Sequence, residues 1–152
     1  MKISIGSDHG GYDLKTTLIE TLKAEGHEVI DRGAKGLESV DYPDFGEAVA
    51  RDVVSGEANF GVAICTSGIG ISIAVNKVHG ARGAVCHNED AAEFSRLHNN
   101  ANVICFGQKY DTPYMAAKMT RIFINTPWQG DGPGGERHAR RVEKMSALEA
   151  ED

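Results

Sequence analysis

Apolar residues along the chain recur in two alternating rhythms: short β-like runs, and longer stretches spaced three and four apart. Residues 2–6 predict a first strand, and residues 12–25 predict a helix with Leu14, Leu18 and Leu22 on one face. Glu28–Asp31 predicts a second strand. Tyr42–Val54 predicts a helix through Phe45, Val49 and Val53, and Phe60–Cys65 a third strand. A helix over 70–78, a strand over 82–86, a helix over Glu89–Leu97, a strand over 102–106 and a helix over 113–124 complete the alternation. In the last helix Met115, Met119 and Ile122 are expected to face inward. Strands that alternate with helices imply parallel βαβ units with right-handed crossovers, hence an α/β sandwich. There is no internal repeat, and one domain over 1–152 is expected. Its tail, 128–152, differs in character. A glycine-rich linker over 128–135 precedes a helix-forming stretch, 136–150, that carries Arg137, Arg140 and Arg141. Such a helix either packs back on its own sheet or reaches a partner subunit.

Composition excludes several classes. The 152 residues suffice for one hydrophobic core. A net charge of −6, without any block of like charges, argues against nucleic acid as a partner, which would require a basic patch. No apolar run approaches the length of a membrane span, and the N-terminus lacks a signal-peptide pattern. Cys65, Cys86 and Cys105 are widely spaced, odd in number and without a CxxC pair. They read as reduced thiols of a cytoplasmic protein, not as a disulfide framework or a zinc site. The first strand–helix turn, Gly6-Ser7-Asp8-His9-Gly10-Gly11, is not G-x-G-x-x-G, and an aspartate there would repel a pyrophosphate. With the G-x-x-x-x-G-K-S/T pattern also missing, nicotinamide and nucleoside triphosphate binding are both disfavoured.

Ligands of open parallel sheets bind beyond the carboxyl ends of the strands. The run Cys65-Thr66-Ser67-Gly68-Ile69-Gly70 passes there from strand to helix through two glycines. That arrangement turns several backbone N–H groups into one small space and binds an anion. Strand one ends in Asp8-His9, strand four in His87-Asn88 and strand five in Gln108-Lys109, while the next-to-last sheet helix closes with His98-Asn99. All are expected on one edge. Each also has a plain structural reading: Cys65 as a core filler, Asp8 as a helix N-cap, His98 as a cap for helix carbonyls. Arg137 and Arg141 form a solvated face by default, although the same i, i+4 spacing lets two guanidinium groups grip one phosphate. Cys86 and Cys105 read as core, and His27, His79 and His138 have no informative neighbours.

Taken together, Asp8-His9-Gly10-Gly11, Asp41-Tyr42-Pro43, Cys65-x-Ser67-Gly68-Ile69-Gly70-Ile71-Ser72-Ile73-Ala74-x-Asn76-Lys77, His98-Asn99-x-x-Asn102, Phe106-Gly107 and Arg137-His138-x-x-Arg141-Val142 resemble the type B ribose-5-phosphate isomerases. The resemblance runs from residue 2 to about residue 142. The wider family includes galactose-6-phosphate isomerase subunits and allose-6-phosphate isomerases. It implies a three-layer sandwich with a five-stranded parallel, Rossmann-like sheet, strands one and three adjacent, and a C-terminal helix. It also implies a homodimer or dimer of dimers with active sites at the subunit interface. The implied reaction interconverts ribose 5-phosphate and ribulose 5-phosphate through a cis-enediolate, with no metal and no cofactor.

The resemblance also assigns roles. Cys65 would take the C2 proton as a thiolate, favoured by the helix N-terminus downstream. Backbone N–H groups of Ser67, Gly68, Ile69 and Gly70 would hold the enediolate oxygens, with the Ser67 hydroxyl assisting proton movement. His98, with Asp8, would open the furanose ring. His9, Arg137 and Arg141 would bind the 5-phosphate, Asn99 would orient a hydroxyl, and Tyr42 and Thr66 would line the pocket. Three positions depart from the family pattern. Thr66-Ser67 replaces glycine-threonine, Lys109 stands where a phosphate-binding arginine is common, and Glu136 precedes Arg137 in place of glycine. Two other readings stay open: an isomerase of allose 6-phosphate, galactose 6-phosphate or a tetrulose phosphate, and a non-catalytic sugar-phosphate sensor.

Overall fold

The computed structural model describes residues 1–151; Asp152, the last residue of the expected tail, lies outside the described residues. In chain order the elements are β1 (Lys2–Ser7), α1 (Tyr12–Ala24), β2 (Glu28–Asp31), α2 (Tyr42–Val54), β3 (Phe60–Cys65), α3 (Ile69–Asn76), β4 (Gly83–Val85), α4 (Glu89–Leu97), β5 (Val103–Gly107), α5 (Pro113–Asn125) and α6 (Glu136–Leu148). The five strands form one parallel sheet in the order β2-β1-β3-β5-β4. The expected adjacency of β1 and β3 is present.

Side chains alternate across a strand, so each strand feeds two cores. On one face Ile3, Ile5, Val62, Ile64, Ile104 and Phe106 pack with Leu14, Leu18 and Leu22 of α1, Ala92 of α4, and Met119 and Phe123 of α5. On the other, Ala63, Cys65, Val103 and Cys105 meet Val49 and Ala50 of α2 and Ile71 and Val75 of α3. The result is three layers. Burying each large aliphatic or aromatic side chain contributes about 1.5–3 kcal/mol, which makes these faces decisive over local propensity. Of the three α5 residues expected inward, Met119 is fully buried. Met115 and Ile122 are half-buried at the margin, because Ala116, Thr120 and Phe123 take the central line.

The C-terminal helix α6 stands apart from the sandwich. His138 is its one buried residue. Near its far end, a Glu149 carboxylate oxygen accepts the Gly80 N–H at 3.0 Å, just ahead of β4. The glycine-rich linker before it contains a short 3₁₀ turn, Gln129–Asp131. Among the described residues no helix is long and apolar enough to cross a membrane.

Candidate functional site

The carboxyl ends of β1, β3 and β5 create one cluster. Ser7 N–H donates to Gly33 O, and Ala34 N–H to Ser7 O, each at 2.6 Å, which fixes the end of β1. Asp8 is 6% exposed, and its N–H donates to Ile64 O, next to Cys65 in the neighbouring strand. Its carboxylate accepts the Gly10 N–H at 2.9 Å, so the capping role foreseen for it is realised on the short turn His9–Gly11. His9 Nδ1 accepts the Val40 N–H at 3.2 Å. A backbone amide can only donate, so the neutral ring carries its proton on Nε2, a donor suited to a phosphate oxygen. Thr66 sits against this turn; a side chain at Gly10 would collide with Thr66 Oγ1. Gln108 N–H donates to Cys65 O and Lys109 N–H to Thr66 O, both at 3.0 Å, which carries Lys109 to the same edge.

The loop after β3 is built around its cysteine. Gly68 has φ +82° and forms the N-cap of α3; a Cβ there would lie 2.9 Å from Phe106 C and 3.0 Å from Gly107 N. Both the left-handed conformation and the close approach require glycine. The turn aims the Gly68 N–H at Cys65 Sγ, 3.1 Å away. Ser67 Oγ accepts the Ile69 N–H at 3.2 Å. Two of the four N–H groups expected to face an oxyanion are therefore engaged within the loop, one of them on the thiol itself. Tyr42, 40% exposed at the start of α2, closes the far side. Its ring leans on Gly70, where a Cβ would fall 2.7 Å from Tyr42 Cζ.

The expectation of one edge fails for His98 and Asn99. A helix that follows a strand in a parallel unit runs back against it, so its last turn lies at the amino edge of the sheet. His98 follows the end of α4, and Asn102, four residues later, exchanges hydrogen bonds with Arg82 just where β4 and β5 begin. The tail arginines join that edge. His138 of α6 stacks on His98 with ring centroids 4.3 Å apart and planes 7° from parallel, and Arg137 and Arg141 flank it, exposed. One chain thus carries two half-sets at opposite edges. Asp8, His9, Tyr42, Cys65, Thr66, Ser67, Gly68, Ile69, Gly70 and Lys109 occupy one; His98, Asn99, Arg137 and Arg141 occupy the other.

Two contacts escaped the sequence reading. His138 entered it only within the Arg137-His138-x-x-Arg141 run, because its stacking partner lies forty positions away. Asp111 has a nearly inaccessible side chain that accepts the Gly107 N–H at 2.9 Å and meets His87 Nδ1 at 3.0 Å. It pins Gly107 beneath the Cys65 loop, where a side chain would strike Ser67 O. Cys86 and Cys105 are core, as expected. Burial pushes the Cys86 thiol up to about 11, and it pushes Cys105 higher still, with Cys86 and Cys65 adding to the effect.

An α/β sandwich with a thiol beneath a helix N-terminus at the carboxyl edge of its sheet has its polar cluster where parallel sheets bind small ligands. The chain belongs to the Ribose/Galactose Isomerase family, whose model matches residues 3–145, and it is an isomerase of the sugar-phosphate class. Ribose-5-phosphate isomerase B of Escherichia coli is 39% identical over 148 residues, covering 97% of this chain and 96% of that protein. Galactose-6-phosphate isomerase subunit LacB of Clostridium acetobutylicum is 39% identical over 129 residues, 85% of this chain and 75% of that one. Among solved structures, Clostridium thermocellum ribose-5-phosphate isomerase B superposes with a TM-score of 0.94 at 49% identity, covering 99% of both chains. The type B enzyme of Trypanosoma brucei gives 0.90 at 40%, covering 97% of both.

Proposed function

We propose that the protein interconverts ribose 5-phosphate and ribulose 5-phosphate, without a metal, in sites shared between two copies of the chain. The observation that carries the chemistry is the Gly68 N–H aimed at Cys65 Sγ from the start of α3. It is the donor a thiolate would use, and it couples the reacting sulfur to the helix N-terminus. In this reading His98 and Asp8 first open the furanose. Cys65 then takes the C2 proton and returns it to C1, so that a cis-enediolate lies between. Gly70 N–H faces the enediolate oxygens, and a preorganised donor of this type is worth about 3–4 kcal/mol. The Ser67 hydroxyl, held by Ile69 N–H, moves a proton between those oxygens. His9 Nε2, Lys109, Arg137 and Arg141 bind the phosphate, and Asn99 orients a hydroxyl.

Distance supports sharing. Strands of five or six residues separate the two half-sets by about 16–20 Å within one chain, too far for a five-carbon substrate to touch both. Ile69 and Ile73 of α3, one turn apart beside the Cys65 loop, are 57% and 56% exposed. A second copy covering that face would bring its own His98, Asn99, Arg137 and Arg141 to Cys65. The test is a coupled assay of ribose 5-phosphate with a chelator present. Turnover should survive the chelator and fall by about 10²- to 10⁴-fold in Cys65→Ala, with phosphate binding retained. Turnover of galactose or allose 6-phosphate in preference would replace the substrate and keep the class. Binding with no turnover of any sugar phosphate would leave a sensor.

A further inference from the structure

His138 is 4% exposed, the one buried residue of a helix that otherwise faces solvent. Its ring lies parallel to that of His98 at 4.3 Å, and Phe94 adds a second ring contact to His98, with centroids 5.0 Å apart. Its Nε2 is buried without a hydrogen-bond partner, so that atom can neither give nor take a substrate proton. We propose that His138 is a positioning residue for ring opening: its flat ring holds the His98 imidazole in the plane from which His98 exchanges protons with the sugar. The inference rests on the acid–base role given to His98 above. Opening breaks the C1–O4 bond; the O1 hydroxyl gives up a proton as the C1 carbonyl forms, and O4 gains one. A transfer through His98 needs an imidazole nitrogen in line with an oxygen, yet the second side-chain torsion of histidine is broad by itself. A parallel ring in contact narrows it.

The electrostatics agree with the geometry. Burial pushes His138 below the usual histidine range, and His98, Arg137 and Arg141 act in the same direction. The neutral form of His138 is therefore favoured in the stack, and a pair of imidazolium rings is not.

The test separates the ring step from the enediolate step. Ribulose 5-phosphate has its C5 oxygen esterified and forms no furanose, so exchange of its C1 hydrogen with solvent deuterium needs proton abstraction but no ring opening. In His138→Ala, kcat for ribose 5-phosphate should fall about tenfold or more, a misplacement effect, while deuterium exchange at C1 of ribulose 5-phosphate stays within about twofold. Retained exchange also reports a folded site. His138→Phe, which restores a flat ring, should recover more of kcat than His138→Asn. Parallel loss of both rates, loss of neither, or no advantage of Phe over Asn overturns the proposal. His98→Asn is the reference. If it splits the two rates and His138→Ala does not, the positioning role alone falls. If it does not split them, the acid–base role of His98 falls and takes this proposal with it.

Discussion

Two inactive variants should restore each other when mixed. Cys65→Ala disables the carboxyl-edge half-set, and His98→Asn disables the amino-edge half-set, which the topology places at the far end of the same chain. In a symmetric dimer each site takes one half from each copy. A mixed dimer then holds one doubly defective site and one intact site. After free exchange of subunits half the dimers are mixed, so the preparation should reach about one quarter of wild-type activity, against near zero for either variant alone. The assay is ribulose 5-phosphate formation, followed after co-refolding or dilution and reconcentration of an equimolar mixture. The double variant Cys65→Ala/His98→Asn mixed with wild type is the control; there each mixed dimer has one damaged residue in either site, and activity falls below that of the wild-type share. Activity confined to the sum of the two parents would refute sharing and would require both half-sets to meet within one chain.

Other consequences can be measured directly. Gly68→Ala places a side chain at φ +82° against the Phe106–Gly107 backbone; denaturant titration should show a loss of about 1–3 kcal/mol, together with lower kcat. His138 titrates lower in the folded chain than its ordinary value of 6.5, so the folded state binds fewer protons than the unfolded one. Its contribution to stability is complete above about pH 6.5 and is lost as pH falls toward the folded value; urea midpoints across that window should slope less in His138→Phe than in the parent. Cys86 and Cys105, pushed up by burial, should resist iodoacetamide at about pH 8 in the native protein and label once it is denatured; native labelling of either would contradict the packing.

Much of this molecule is legible in one sequence because its elements announce themselves through periodicity. Four element ranges, Glu28–Asp31, Tyr42–Val54, Phe60–Cys65 and Glu89–Leu97, have the bounds the pattern predicts. Two of the misplaced ends have particular causes. β1 runs on to Ser7 because the Gly33–Ala34 segment offers it hydrogen bonds. α3 stops at Asn76 because that side chain turns to the Gly83 N–H and carbonyl instead of continuing the helix. β4 spans Gly83–Val85, one residue shorter at each end than the pattern predicts. The amino-edge position of His98 is implied by topology alone, since a crossover helix must end at the edge opposite to where it begins. The stack on His138 is not, because nothing local to either residue encodes it.

The two arginines of the proposed phosphate grip ride on a helix with a single buried residue, outside the sandwich. Among the described residues, the buried His138 ring and the Glu149 carboxylate on Gly80 are two of the contacts that fasten α6. A helix that lies mostly in solvent opens at a small fraction of the free energy needed to disrupt the sheet, so its amides should exchange with solvent deuterium early while those of β3 and β5 remain protected. A bound phosphate bridging Arg137 and Arg141 would add another fastening and slow exchange across Glu136–Leu148 alone. Recognition and rigidity would then arrive together: the substrate would stiffen the very helix that reads it, and an empty site would be marked by a loose tail.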